Sequence, residues 1–278
     1  MNLCFNTISF TPTHVWSNSH TLIDTAEILA EIGFDGMEIA AGRPHAWPTD
    51  LSQAERSSLK QRFNSLGLEI SAICPLIAPG LNPASLCDKE LRDSREYLVE
   101  CVELASDLES QLVVYPAGWV IHGASCDEAW KHSCETLRVA AEKGRRYGVT
   151  LVVEAIRRIS SNLLWSSEQA LKMVSDVSHP NVGLMMDTFH VWAEGEEPSG
   201  VISKYGEHLL HIHMVDISES GADRRIPGDG VQDIAAVIEG LKEVGYEGAL
   251  SVEIWGLDPT KMARDSYTNL KRLLFESV

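Results

Sequence analysis

The chain has 278 residues, and its 23 lysines and arginines against 40 aspartates and glutamates give a formal net charge of −17. This acidic balance argues against nucleic acid or an anionic membrane as the main partner, because both require a basic protein surface. No stretch approaches the ~20 apolar residues of a membrane helix, and the six cysteines form no CxxC pair, so we expect reduced thiols and a cytoplasmic protein without a secretory signal.

Short apolar or β-branched runs alternate along the chain with amphipathic stretches of helical spacing. The predicted strands are, in chain order, 2–6, 36–39, 68–74, 111–115, 149–154, 182–187, 208–215 and 249–254. The predicted helices are 21–31, 51–66, 88–108, 127–147, 167–177, a short one near 201, 231–244 and about 259–275. Ser167 is the expected N-cap of the helix that ends at Val177.

The predicted strands are nearly free of polar residues until their last position, which is typical of parallel strands covered by helices on both faces. Eight strand–helix units in a chain of this length predict an α/β fold, a single (β/α)8 TIM barrel that spans residues 1–278 as one domain. An open doubly wound sheet is the alternative. However, no GxGxxG motif follows the first strand, and no segment fits the edge strand that such a sheet needs.

Ionisable residues lie at the ends of the last four predicted strands, where a (β/α)8 barrel places its active site. These residues are Glu154, Asp187, His211, His213 and Glu253. Carboxylates that meet at one barrel mouth repel each other and cost several kcal/mol if they are dry and unpaired, whereas a divalent cation removes both problems. Three carboxylates and one imidazole form a hard donor set, which favours Mn²⁺ first, then Mg²⁺ or Co²⁺, with Zn²⁺ also compatible.

Short motifs surround these residues: Leu-Val-Val-Glu154, Met-Met-Asp187-Thr-Phe-His190, His211-Ile-His213, Arg225-Ile-Pro-Gly-Asp-Gly230 and Val-Glu253. Together they resemble the xylose isomerase-like TIM-barrel superfamily, and within it the sugar isomerase/epimerase branch that includes the ketose 3-epimerases. The resemblance implies one catalytic metal ion held by Glu154, Asp187, His213 and Glu253. It also implies that Glu154 and Glu253 act as acid and base, and that His190 and Arg224 contact substrate oxygens.

The implied activity is that of a metal-dependent epimerase or isomerase of a small keto-sugar, with C3 epimerisation through a metal-stabilised enediolate. One glutamate removes the proton next to the ketone, and the other returns it on the opposite face of the carbon. If the same base returned the proton to the neighbouring carbon, the outcome would be isomerisation. The oligomeric state cannot be read from the sequence, so a homo-oligomer stays open.

Other functions on this scaffold are considered as alternatives. A metal-dependent dehydratase of an inosose- or dehydroshikimate-like substrate would begin with the same proton abstraction. A sugar-binding barrel without catalysis has no need for both Glu154 and Glu253. An abasic-site DNA endonuclease is disfavoured, because Asp229 is followed by Gly-Val where that pattern has another histidine, and because the chain is strongly acidic.

Arginines that follow two of the strands bear on the substrate. The segment after Glu154 contains Arg157 and Arg158, whereas the corresponding segment of many epimerases resembles an Asn-Arg pair. The arginine at position 157 therefore indicates a different or more anionic substrate. By contrast, residues 255–258 form a poor anion site, which favours an uncharged sugar or keto-glycoside. In the long loop after the seventh strand, Arg224 and Arg225 compete for the substrate contact, and their spacing from the Gly-Asp-Gly motif favours Arg224.

Several further residues carry expectations about the site. His211 is expected one layer deeper than His213, as a core histidine with satisfied hydrogen bonds. Glu38 at the end of the second strand is either a structural hydrogen-bond acceptor or a group that orients a metal ligand. The expected aromatic walls for the sugar are Trp16 and Trp119.

Overall fold

Parallel strands close into a barrel in the computed structural model, which describes residues 1–12 and 19–276. The strands are β1 (Asn2–Asn6), β2 (Gly36–Ala41), β3 (Glu69–Pro75), β4 (Leu112–Pro116), β5 (Thr150–Glu154), β6 (Val182–Asp187), β7 (Leu209–His213), the short β8 (Asp216–Ile217) and β9 (Arg224–Arg225), and β10 (Ala249–Val252). The barrel order is β1-β10-β7-β6-β5-β4-β3-β2, and β1 closes it by pairing with both β10 and β2. The expected eight-stranded α/β barrel is therefore confirmed.

Helices connect successive barrel strands. They are α1 (Leu22–Ile32), α2 (Gln53–Leu66), α3 (Asp88–Asp107), α4 (Cys126–Tyr147), α5 (Ser167–Val177), α6 (Thr188–Ala193), α7 (Pro198–Tyr205), α8 (Ile234–Glu243) and α9 (Pro259–Glu276), with 3₁₀ turns at Thr7–Phe10, Pro48–Asp50 and Gly206–His208. The expected cap at Ser167 is wrong by one residue, because Ser166 accepts the Gln169 N–H and Gln169 reaches back to it in a capping box. No helix in the described ranges has the length and apolar character of a membrane span.

The loop after β7 departs most from the sequence expectation. The seventh strand ends at His213, and the chain then forms an antiparallel hairpin in which Asp216 pairs with Arg225. The helix expected from residue 231 begins only at Ile234. Backbone N–H groups of the preceding segment, at Gly228, Gly230 and Gln232, donate to the Asp216 carboxylate instead. This loop carries Arg224, so the hairpin determines where that arginine lies.

Two apolar regions support the barrel. A large cluster fills the space between the strands and the helices, and a smaller one lies inside the barrel and consists of Ala72, Cys74, Val114, Val152 and Met185. Every residue of β2 and of β6 is buried, as expected for strands that are covered on both faces. The buried members of this smaller cluster come from β3 to β6, whereas Glu38 of β2, His211 and His213 of β7 and Ser251 of β10 are buried polar residues.

Candidate metal centre and substrate cavity

The strand ends bring the four predicted metal ligands together. Asp187 is in register with His213 across β6 and β7, and His213 is in register with Ser251, which is two residues before Glu253. All four side chains are buried. One ligand atom from each of Glu154, Asp187 and His213 lies within 4.8 Å of the others. The topology thus assembles residues that are far apart in the sequence, and metal binding by them remains a prediction.

The three carboxylates surround one nitrogen of His213, and we call them the outer cluster: Glu154, Asp187 and Glu253. The distance from His213 Nδ1 is 3.6 Å to Glu154 Oε1, to Asp187 Oδ2 and to Glu253 Oε2. This distance is too long for a hydrogen bond, and the buried Nδ1 has no hydrogen-bond partner among the described residues. A buried donor set of this kind fits a divalent cation that bonds to the nitrogen and the oxygens together.

The other nitrogen of His213 belongs to a second group, which we call the inner cluster: Glu38, His211 and Ser251. His213 Nε2 lies 2.9 and 3.0 Å from the two carboxylate oxygens of Glu38, and His211 Nε2 lies 3.1 Å from one of them. Burial alone would raise the pKa of Glu38, but the two histidines outweigh it and lower that pKa well below its usual range. Glu38 therefore fixes the ring of His213 with Nδ1 toward the outer cluster. Of the two roles considered for Glu38, a structural acceptor or a group that orients a metal ligand, this arrangement favours the second.

The inner cluster also resolves the position of His211. Its side chain is fully buried and contacts Glu38, one layer below His213. The Ser251 hydroxyl donates to Glu38 Oε2 at 2.5 Å. The expectation of a satisfied core histidine is confirmed for Nε2, whereas its Nδ1 has no hydrogen-bond partner in the described part of the chain.

Arg224 ties two members of the outer cluster together. Its Nη2 lies 2.6 Å from Asp187 Oδ2 and 2.9 Å from Glu253 Oε2, and its Nη1 donates to the Glu253 carbonyl at 3.1 Å. Burial alone would raise the pKa of Asp187, but Arg224 and His190 outweigh it and lower that pKa. Arg225 is exposed, so of the two competing arginines Arg224 is the one that lies in the site.

Glu154 has a different electrostatic environment from the other two carboxylates. No lysine or arginine among the described residues forms an ion pair with it, and His213 is the group within ion-pair distance. Burial raises the pKa of Glu154 to about 7, with Glu253 and Asp187 adding to the rise and His213 opposing it. This raised pKa is that of the site without a cation, and a bound divalent cation would favour the ionised carboxylate, which is the form that accepts a proton.

His190 lies in α6, directly after the strand that ends in Asp187. Its Nε2 lies 3.5 Å from Arg224 Nη2, and its buried Nδ1 has no hydrogen-bond partner among the described residues. Burial lowers the pKa of His190 to about 3, because Arg224 and Arg157 add to the effect of burial and together outweigh Asp187. The imidazole is therefore neutral, and a neutral imidazole can donate or accept a hydrogen bond with a sugar hydroxyl.

A cavity of about 430 Å³ lies above the outer cluster. Its polar lining includes both predicted acid/base residues and both predicted substrate residues, which are Glu154, Glu253, His190 and Arg224. The indole rings of Trp119 and Trp255 form part of the apolar wall. The other tryptophan expected there, Trp16, lies outside the described residues. The volume is within the range of small-molecule sites and suits a single sugar.

Two positioning residues were not found by sequence reasoning. The Thr188 hydroxyl donates to the Val215 carbonyl at 2.7 Å, which links α6 to the segment that follows β7. Asp216 accepts the four backbone N–H groups of Ile217, Gly228, Gly230 and Gln232. A Cβ at Gly230 would lie 2.3 Å from Asp216 Oδ1, so the Gly-Asp-Gly motif is required for this turn. The only sequence signal for Asp216 was an acid within an apolar run.

Comparison with known proteins places this geometry in a family. The family model described as "Xylose isomerase-like TIM barrel" matches residues 26–273. L-ribulose 3-epimerase from Mesorhizobium japonicum is 31% identical over 249 residues, which cover 86% of this chain and 78% of that protein. Fructoselysine 3-epimerase from Shigella flexneri is 24% identical over 251 residues, or 89% of this chain and 91% of that protein.

A solved structure agrees in fold. D-psicose 3-epimerase with D-tagatose from Clostridium cellulolyticum H10 has a TM-score of 0.84 and 21% sequence identity, and the match covers 99% of both chains. The family match over most of the chain agrees with the barrel described above. The chain therefore belongs to the xylose isomerase-like TIM barrel family.

Proposed function

We propose that this protein is a divalent-metal-dependent ketose 3-epimerase. The observation that carries the proposal is the pair of glutamates, Glu154 and Glu253, whose oxygens lie 3.6 Å from the same nitrogen of His213. They come from strands that are separated by β6 and β7 in the barrel, so they approach the site from different sides. Relatives named L-ribulose 3-epimerase and fructoselysine 3-epimerase support the same reaction.

The residues present fit a divalent cation. His213 Nδ1 is buried without a hydrogen-bond partner in the described ranges, and three carboxylate oxygens lie at equal distances from it. Glu154, Asp187, His213 and Glu253 would hold the ion, and their hard donor atoms favour Mn²⁺, followed by Mg²⁺, Co²⁺ and Zn²⁺. When bound, such an ion supplies Lewis acidity, which lowers the pKa of a C–H group next to a ketone.

The chain's own residues account for the proton transfers. One of the two glutamates removes the proton from C3, and the other delivers a proton to the opposite face of that carbon. His190 and Arg224 hold substrate oxygens at the cavity wall, while Trp119 and Trp255 cover the apolar face of the sugar and exclude water. Two bases on opposite faces of C3 invert the configuration of that carbon. A single base that removed and returned the proton on one face would restore the original configuration.

The test is proton exchange in D₂O. The protein is stripped with a chelator, reconstituted with Mn²⁺, and incubated with D-fructose, D-tagatose, D-psicose and L-ribulose while ¹H NMR follows each carbon-bound proton. We expect deuterium at C3 and formation of the C3 epimer, with no activity before reconstitution. Glu154→Gln should strongly reduce formation of the C3 epimer, whereas exchange at C3 of one epimer through Glu253 can persist, and Glu239→Gln on the exposed face of α8 serves as the matched control.

Other outcomes identify the alternative functions. Exchange at C1 with formation of an aldose would indicate an isomerase, and loss of one water by mass spectrometry would indicate a dehydratase. Binding of ketoses without exchange at any carbon would indicate a sugar-binding barrel. If the reconstituted protein exchanged no proton of any ketose tested, the proposed epimerase activity would be rejected for these substrates.

A further inference from the structure

The loop after β5 places one arginine against the substrate cavity and turns the next one away. Arg157 lines the cavity together with Glu154, and its guanidinium carbon lies 4.5 Å from the centroid of the Phe189 ring. Arg158 is exposed, forms an ion pair with Glu194 at 3.3 Å and covers the Trp165 ring. The two neighbouring arginines therefore have different surroundings, and of these two it is Arg157 that can contact a ligand in the cavity.

Arg157 is half-buried and has no acidic partner. Its Nε lies 3.4 Å from the Ser160 hydroxyl, and no carboxylate in the described part of the chain is within ion-pair distance of its guanidinium. The chain carries an excess of 17 negative charges, and other buried arginines form ion pairs with carboxylates. Arg56 pairs with Asp107, and Arg224 pairs with Asp187. Partial burial of an arginine without a counter-ion is unfavourable, so an anionic ligand would stabilise it.

The charges at the barrel mouth also favour an anionic ligand. The three ionised carboxylates of the outer cluster would be balanced by a divalent cation and the guanidinium of Arg224. Arg157 then adds a further positive charge to the same cavity, and the carboxylates of Asp187 and Asp223 act on it only from beyond ion-pair distance. Burial and the nearby Arg224 outweigh these two carboxylates and lower the pKa of Arg157. This is the response of a guanidinium that has lost water and faces a second cation.

The contacts of Phe189 limit the separation of Arg157 from Arg224. The guanidinium carbons of Arg157 and Arg224 lie 4.5 and 4.7 Å from the centroid of the same Phe189 ring, so their separation cannot exceed the sum of these distances. Arg224 contacts the outer cluster directly, whereas Arg157 makes no ion pair with it. A ketose held by the outer cluster at C2 and C3 can therefore reach Arg157 with its far end.

We propose that Arg157 is a specificity-determining residue that binds an anionic group, a carboxylate or a phosphate, at the end of the substrate remote from the ketone. The inference rests on the proposed ketose 3-epimerase activity and specifies its substrate class. The planar guanidinium offers two parallel donors to either group, and the Ser160 hydroxyl beside it adds a third. The proposed substrate is thus an anionic ketose, whereas the poor anion site at residues 255–258 had favoured an uncharged sugar.

The experiment compares ketoses that differ only in the terminal group. D-fructose, D-fructuronate and D-fructose 6-phosphate, and the corresponding tagatose series, are tested with Mn²⁺-loaded wild-type protein, Arg157→Asn, Arg157→Lys and the control Arg158→Asn. We expect one anionic ketose to exceed its neutral counterpart in kcat/KM. Arg157→Asn should lower the ratio of anionic to neutral kcat/KM roughly 10- to 100-fold, mainly through KM, as expected for a lost charged hydrogen bond.

The control variants and the choice of anion sharpen the result. Arg157→Lys should recover part of the ratio, and Arg158→Asn should leave it at the wild-type value. A preference for D-fructuronate over D-fructose 6-phosphate, or the reverse, identifies the group as carboxylate or phosphate. If the neutral ketose is the better substrate in both series, or if Arg157→Asn affects neutral and anionic ketoses equally, the proposal is overturned.

Equilibrium binding separates this proposal from the proposed activity. The dissociation constants of the same compounds are measured by calorimetry with wild-type protein and Arg157→Asn, which requires no turnover. Anion binding that weakens in Arg157→Asn would support the role of Arg157 even if no C3 exchange occurred. Equal binding to both proteins, with or without turnover, would reject it.

Discussion

The inner and outer clusters share one imidazole and differ in how their charges are satisfied. In the inner cluster, Glu38 is contacted at 2.5 to 3.1 Å by a hydroxyl and two imidazoles. In the outer cluster, the carboxylates lie 3.6 Å from His213 Nδ1, and Arg224 is the one arginine that pairs with them in the described structure. The carboxylate of the inner cluster therefore has its partners within the protein, whereas the outer cluster has more negative charge than the described residues neutralise.

This difference assigns the two clusters different tasks. A hydrogen-bonded buried network holds its members in one arrangement. A set of close carboxylates with incomplete compensation is electrostatically costly, and it favours binding of a cation and exchange of protons. We infer that the inner cluster determines the orientation of His213, and that the outer cluster performs the chemistry. The four predictions below test this division, starting with the largest expected effect.

Breaking the outer cluster at Glu154 should have the largest effect. Glu154→Gln preserves the shape of the side chain and removes the proton acceptor, so formation of the C3 epimer, measured by NMR in D₂O, should slow by roughly 10²- to 10⁴-fold. The metal content of the variant is measured in parallel, which distinguishes loss of the base from loss of the ion. Epimer formation at a rate within about twofold of wild type, with metal bound, would contradict the assignment.

The second prediction concerns stabilisation by the metal ion. Mn²⁺ at about 100 times its dissociation constant should raise the free energy of unfolding by ~2.7 kcal/mol, and the melting temperature by roughly 5–10 °C, because it binds only the folded protein. Asp187→Asn removes one charge of the outer cluster and should abolish most of this shift in a thermal melt. The Glu239→Gln control should keep the full shift in melting temperature. An equal shift in Asp187→Asn and Glu239→Gln would exclude the outer cluster as the metal site.

Breaking the inner cluster should have a smaller effect that excess metal reverses. Glu38→Gln leaves all four proposed ligands in place but weakens the orientation of His213, so the affinity for Mn²⁺ should fall by roughly 10- to 100-fold. Formation of the C3 epimer should return toward the wild-type rate at saturating Mn²⁺, which is not expected for Glu154→Gln. A loss that persisted at saturating Mn²⁺ would show that the inner cluster takes part in the chemistry itself.

The smallest effect is expected at Ser251. Its hydroxyl contributes one of several contacts to Glu38, so Ser251→Ala leaves both histidines on the carboxylate. We expect the affinity for Mn²⁺ to fall less than about tenfold and the free energy of unfolding to fall by ~1–3 kcal/mol. Calorimetric titration and urea unfolding measure these two quantities. An effect as large as that of Glu38→Gln would mean that the serine, rather than the carboxylate, orients the imidazole.

The outer cluster was more predictable than the inner one, for a physical reason. Glu154, Asp187 and Glu253 each interrupt an apolar run at a strand end, where the barrel fold predicts an active site. Glu38 and His213 are 175 positions apart and meet only across the closed barrel, so the sequence alone left the role of Glu38 open. The eight-stranded barrel was predictable because its periodicity is repeated along the whole chain.

The loop after β7 was the least predictable part of the fold. Asp216 bonds to backbone N–H groups, and backbone groups carry no residue-specific signal in a sequence. This carboxylate holds the segment after the hairpin, while Asp233 caps α8 by accepting the Ala236 N–H. Arg224 itself could be identified only through the motif that the resemblance supplied. The contrast between Arg157 and Arg158 likewise needed the structure, because it depends on which side chain meets Glu194.

The closure of the barrel by β1 has a consequence for synthesis of the protein. β1 pairs on one side with β10, which is translated long after it. Until then, one edge of β1 has no native neighbour and is open to pairing with other nascent chains. Glu253 follows β10 directly, so the proposed ligands are all present only after β10 has been translated, and the proposed ion would be bound after that point.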